Sequence, residues 1–174
     1  SSDANYTDNY KHIRRTNLLI ENAETYSKPE DIKQYLGEAY FFRAYSYFDL
    51  LQLYGDVIIT KKPLDITDPE MKVKRNDRSE VVDLIIDDLR HAIDNLPAFK
   101  ELSTEEEGRI SKEGAQAFLS RVALYEGTWQ KSRNNNQNTE RTKNLLDIAA
   151  KAARTVMDAK YGYSFRLFGT DSET

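Results

Sequence analysis

Trp129 is the single tryptophan of the chain, and it stands just ahead of Arg133-Asn134-Asn135-Asn136-Gln137. An indole ring stacks on the C–H face of a sugar, while guanidinium and amide groups pair with its hydroxyls. Trp129, Arg133, Asn134 and Asn135 are therefore the candidate ligand-binding residues, for a sugar or for a partner. The alternative is that Trp129 plugs the end of a helical hairpin and the asparagines are solvated. Arg43 interrupts an apolar helical run, with Glu38 before it and Asp49 and Asp56 after it. A guanidinium in that setting needs a buried ion pair or a set of carbonyls, which would fix helix register. Asn17 lies within another apolar stripe, and an unpaired buried amide costs about 1–3 kcal/mol. Asn17, Glu38, Arg43 and Asp56 make up the expected structural network.

Other chemistries lack their residues. Asp87 and Asp88 are neighbours on a helix and do not face each other, so they are not placed to flank one glycosidic bond as a hydrolase requires. Glu105-Glu106-Glu107 falls in a loop and reads as a solvated cluster. The two histidines, His12 and His91, sit on different helices without an i, i+4 partner, so no histidine metal motif is supported. There is no cysteine, which removes thiolate chemistry, disulfides and zinc–thiolate sites. No nucleophile elbow and no phosphate-cradling glycine loop occurs. No catalytic residue, metal or cofactor is expected.

Five helices position these residues. The first runs roughly from Asp8 to Glu24, with Tyr10, Ile13, Asn17 and Ile20 on one face. The second opens at Pro29, with Glu30 and Asp31 opposing the positive end of its dipole, and reaches Tyr54, where Gly55 supplies a left-handed cap. Its stripe is Leu36, Tyr40, Ala44, Tyr47, Leu51 and Tyr54. Ala39, Phe42 and Tyr45 carry apolar surface round the side, so the helix is expected to be buried on more than one side. Val57-Ile58-Ile59 is expected to run extended and pin the connector that follows. The third helix starts near Ser79 behind an Asp77/Glu80 capping box and stops at Pro97. The fourth follows Ser111, an N-cap, and is expected to end at about Gly127, leaving Gln130 to Asn138 as a polar loop. The fifth runs from about Glu140 to Ala159, and its alanines allow a close neighbour.

Composition agrees with that pattern. Among 174 residues, 39% are hydrophobic and 31% charged, with seven glycines and four prolines. Such a chain supplies one core and favours long helices over a turn-rich sandwich. The formal net charge of −4, with no basic stripe, argues against nucleic acid. No apolar run approaches the roughly 20 residues that span a bilayer. The fold class is all-α, a tetratricopeptide-like stack of antiparallel helix hairpins, read as a single helical domain over residues 1–174.

Several segments, in order and spacing, resemble one family. Tyr10-Lys11-His12-Ile13-Arg14-Arg15-Thr16-Asn17 resembles the opening Y-x-x-I-R-x-x-N helix of SusD/RagB proteins. Gly37-Glu38-Ala39-Tyr40-Phe41-Phe42-Arg43-Ala44 is similar to their G-E-A-x-F-x-R-A segment, and Tyr54-Gly55-Asp56-Val57 to their Y-G-D-V-P end, with Ile58 in place of the proline. Glu80-Val81, Ile85, Asp88-Leu89 and Ala92 resemble E-V-x-x-x-I-x-x-D-L-x-x-A, and Gly108-Arg109-Ile110-Ser111-Lys112 resembles G-R-I-T-K. Leu119 to Trp129 looks like the helix that follows. The resemblance covers nearly the whole chain but only the N-terminal helical part of the family, so the chain is expected to be a fragment of a longer SusD-like protein. It implies a non-catalytic cell-surface lipoprotein of the outer membrane, held by an N-terminal lipid anchor absent from this chain. Such a protein captures an oligosaccharide and delivers it to a SusC-like TonB-dependent transporter. The competing expectation is a helical-repeat interaction module that binds protein and no sugar.

Overall fold

The computed structural model describes residues 3–133 and 139–165. Among the described residues there are five α-helices: α1 (Ala4–Glu24), α2 (Pro29–Tyr54), α3 (Arg78–Asn95), α4 (Lys112–Arg133) and α5 (Glu140–Met157). Single 3-10 turns occupy Pro69–Met71, Phe99–Glu101 and Thr104–Glu106. No strand is present among the described residues, and the chain is all-α as its sequence implies. It divides into two compact units, Ser1–Pro97 and Ala98–Thr174.

The first unit holds α1, α2 and α3, with α2 packed against both neighbours. Contacts between opposite helix ends show that neighbours run antiparallel. Tyr6, near the start of α1, sets its ring edge-on to Tyr54 at the end of α2, with centroids 5.3 Å apart. Gly37, early in α2, faces Leu96 just beyond α3, and Arg78 at the start of α3 donates to the Leu51 carbonyl near the end of α2. Ile13, Ala44, Tyr47, Leu50, Leu51, Val81, Val82, Ile85, Leu89 and Ala92 are fully buried between them.

Local chemistry explains the helix ends. Pro29 occupies the first turn of α2, and Gly55 closes it at φ 71°, its N–H donating to the Leu51 carbonyl. Glu80 accepts from the Asp77 N–H at 2.9 Å, the capping-box bond at the entrance to α3. α1 begins at Ala4, one turn earlier than expected, because the Asp3 carboxylate accepts from the Asn5 N–H. A second departure concerns α2. Phe42 and Tyr45 are about half exposed, while Phe41, Phe48 and Leu50 are buried. Ala39 is buried as expected, but the rest of the second buried side of α2 runs through Phe41, Phe48 and Leu50 and not through Phe42 and Tyr45.

Val57-Ile58-Ile59 runs extended. Val57 forms an isolated antiparallel bridge with Asn76, and the Asn76 side chain accepts from the Ile59 N–H at 2.9 Å. Tyr10 on α1 donates to the Ile58 carbonyl at 2.7 Å. The connector is thus held from both of its ends and from α1.

The second unit is the α4–α5 hairpin. Ser111 caps α4 by accepting from the Gly114 N–H, and Thr139 caps α5 by accepting from the Thr142 N–H. Ala115, Val122, Ala123, Leu145, Ala149 and Ala152 are its core, and Ser120 donates to the Ala149 carbonyl across the pair. Gly127 does not end α4. A Cβ there would lie 2.9 Å from Leu146 Cδ2, so this glycine serves close helix approach, and the helix continues to Arg133. At the far end of α5, Met157 is exposed.

Candidate functional site

The Arg43 guanidinium is buried in the first unit, with 4% of its side chain accessible. It meets Asp88 of α3 edge-on: Nε donates to Oδ2 at 2.8 Å and Nη2 to Oδ1 at 2.7 Å. Nη1 donates to the Asn17 side-chain oxygen at 2.8 Å. Asn17 is fully buried, and its amide nitrogen donates onward to the carbonyls of Thr60 and Lys62, at 3.0 and 2.8 Å. Tyr47 joins the same segment, donating to the Thr60 carbonyl and accepting from the Thr60 N–H. One polar chain therefore links α1, α2, α3 and the connector. Burial opposes the Arg43 charge, but the hydrogen bond and negative charge of Asp88 outweigh it and hold its pKa above the ordinary value.

The sequence points to Glu38 and Asp56 as the acidic members of this network. Asp88 carries the charge pairing instead, because α3 packs along α2 and brings a residue 45 positions away alongside Arg43. Asp56 is exposed and serves the entrance to α3, accepting from the Arg78 N–H at 2.9 Å. Glu38 is half-buried on α2. The order Glu80-Val81, Ile85, Asp88-Leu89 carries the signal for Asp88, since an acid on the apolar face of a helix implies a buried partner.

Trp129 and Arg133 come together on α4, one turn apart. The Arg133 guanidinium carbon lies 5.3 Å from the centre of the indole ring, a cation–π arrangement. Trp129 is half-buried and lies within the helix rather than at its end. Asn134 and Asn135 lie outside the described residues. Asp87 is exposed and Asp88 is buried. Glu106 is engaged locally, accepting from the Ser103 N–H and hydroxyl. His12 and His91 are both exposed. Among the described residues, no three His, Asp or Glu side chains are grouped to hold a metal ion, and no helix is long and apolar enough to cross a membrane.

Known proteins carry the same helical array. The SusD-like family model described as "Starch-binding associating with outer membrane" matches residues 2–124. The chain belongs to the SusD-like family. A SusD-like protein of Formosa agariphila is 37% identical over 117 residues, covering 67% of this chain and 22% of that protein. A SusD-like protein of Bacteroides fragilis superposes with a TM-score of 0.72 at 28% identity, over 92% of this chain and 27% of its own. A laminarin-binding SusD-like protein gives the same TM-score at 27% identity, over 95% of this chain and 33% of its own. The chain spans about a quarter of the length of the curated relatives it matches.

Proposed function

We propose that this chain is the helical portion of a glycan-capture protein of the outer-membrane surface. Its parent binds an oligosaccharide and delivers it to a SusC-like TonB-dependent transporter, with no bond cleaved. The supporting observation is the match of residues 2–124 to a starch-binding, outer-membrane family, together with the likeness of nearly the whole chain to a laminarin-binding protein. On α4, the Arg133 guanidinium lies over the Trp129 ring, and the pair brings together an aromatic ring and a planar donor, the two kinds of group that sugar rings use. In the first unit, the Arg43 network holds three helices and the connector in fixed register. The parent protein is held by an N-terminal lipid anchor.

Affinity gel electrophoresis tests the reading. Retardation in gels containing laminarin or a starch-type glucan, without release of reducing sugar, supports capture. Unchanged mobility in every polysaccharide overturns it for this portion. Trp129, as the only tryptophan, adds a local reporter: a saturable fluorescence change with one oligosaccharide supports a site on α4. Loss of stability but not of binding in Trp129→Ala makes the ring structural.

A second reading, a helical-repeat module that binds protein alone, draws on one feature. Leu18, Leu19, Tyr26 and Tyr35 are all more than a third exposed, around a cavity of about 430 Å³ in the first unit. Such a surface suits a protein contact. A chain that binds its transporter but no glycan would decide for this reading.

A further inference from the structure

We propose that a second cavity of the first unit, lined in part by the Arg43–Asp88 pair, is a subsite for an amino sugar. This rests on the glycan-capture reading and assigns a ligand class to a place that reading does not use. The cavity measures about 300 Å³ and is lined by Ile20, Glu21 and Glu24 of α1, Tyr40 and Arg43 of α2, Lys61 of the connector, and Asp87, Asp88 and His91 of α3. That volume holds one hexose ring. All the lining side chains but Ile20 bear hydrogen-bonding groups.

Three features converge on a cationic polyol. The first is charge. Arg43 and Asp88 neutralise each other; Glu21, Glu24 and Asp87 then face Lys61 and the His91 ring, whose Nε2 lies 3.8 Å from Asp87 Oδ2. The carboxylates are not grouped to hold a metal ion, so the excess negative charge suits an ammonium group carried on a larger frame. The second is unused hydrogen-bonding capacity. Arg43, almost fully buried, spends three of its five N–H donors on Asp88 and Asn17, and the Tyr40 hydroxyl has no hydrogen-bond partner among the described residues. Both serve ring hydroxyls. The third is aromatic surface. The Tyr40 and His91 rings stack with centroids 4.8 Å apart and 25° between planes, and half of the His91 side chain remains exposed. The Arg43 guanidinium already lies over the Tyr40 ring, 5.3 Å from its centre, so the exposed part of His91 takes the C–H face of a sugar and the carboxylates beside it attract its ammonium group.

The test is an NMR titration of the whole chain in matched buffer, reading the His91 ring resonances, which His12→Gln identifies by elimination. D-glucosamine is the probe, with D-glucose, D-glucuronate and ammonium chloride in parallel. The expected result is a saturable His91 shift with glucosamine, at least tenfold weaker with glucose and absent with glucuronate. Glu24→Gln and Asp87→Asn, both at exposed positions, should each weaken the glucosamine response several-fold without altering unfolding. No saturable shift with glucosamine overturns the proposal. So does an equal response to glucose or to ammonium chloride, or unchanged affinity in both variants. Polysaccharide retardation persisting without a glucosamine response sinks this subsite and leaves glycan capture standing. A glucosamine response in a chain that no polysaccharide retards sinks glycan capture and leaves an amine-binding cleft.

Discussion

Asp88 and Arg43 form a two-pronged ion pair between α3 and α2, with 1% and 4% of their side chains accessible. Removing one partner strands an almost fully buried charge. Asp88→Asn is expected to cost about 3–5 kcal/mol, whereas Arg43→Met with Asp88→Leu should cost far less than the two single changes combined. Urea unfolding of the four proteins in a double-mutant cycle measures this. A loss under about 1 kcal/mol in Asp88→Asn would show that solvent or another group takes up the Arg43 charge.

Asn17 is the joint between that pair and the connector, so its loss should be felt at a distance. Asn17→Ala removes two donors from the Thr60 and Lys62 carbonyls and one acceptor from Arg43. A destabilisation of about 1–3 kcal/mol is expected. Hydrogen exchange should quicken at residues 58–62 more than in the α2–α3 core. Uniform quickening throughout the first unit would mean that Asn17 supports the helices and not the connector.

What the sequence makes legible follows from how local each cause is. Both ends of α2 can be read because Pro29 and Gly55 act through their own backbone, and the Asp77/Glu80 box likewise announces α3 within four residues. The need of Asn17 and Arg43 for partners is legible as well, since each is a polar group on an apolar face. The identity of the partner is not. Asp88 meets Arg43 only because two helices pack antiparallel, and the adjacent pair Asp87-Asp88 conceals that one carboxylate turns inward and one outward. Gly127 misleads for a related reason. A glycine late in a helix reads as a terminator, and only the place of Leu146 in the hairpin shows that it makes room for a neighbour. Of the candidate ligand residues, Trp129 and Arg133 share one face because they are four apart on α4, and ending the helix at Gly127 hides that relation.

The two glycines that are buried among the described residues, Gly37 and Gly127, should respond unequally to alanine. At Gly37 the added Cβ would lie 2.9 Å from Leu96 Cγ and 3.0 Å from the Leu96 backbone nitrogen. At Gly127 the nearest atom is Leu146 Cδ2, the far end of a side chain, also at 2.9 Å. Overpacking costs about 1–3 kcal/mol, and alanine returns about 1 kcal/mol of helix propensity. Gly37→Ala is therefore expected to destabilise by about 1–2 kcal/mol, because backbone must move, and Gly127→Ala by less. Urea unfolding ranks them, and the opposite order would mean that the α4–α5 packing is the more rigid of the two.

Tyr54 and Asp3 tie the end of α2 to the start of α1, and the tie is sensitive to alkali. The Tyr54 hydroxyl donates to Asp3 Oδ2 at 2.6 Å, and that hydrogen bond, with burial and the Asp3 charge adding to it, pushes the phenol up to about 12. In the unfolded chain the phenol returns to an ordinary value near 10. The folded pKa is the higher one, so the contribution to stability is complete below about pH 10 and is lost as pH rises through about 12. Asp3→Asn removes the charge yet retains a side chain suited to capping α1. Near-UV titration should then show one tyrosine moving down toward the ordinary value, with helix content unchanged. If no tyrosine moves, Tyr54 is not bonded to Asp3 in solution, and the start of α1 rests on its cap and on the Tyr6–Tyr10 ring contact.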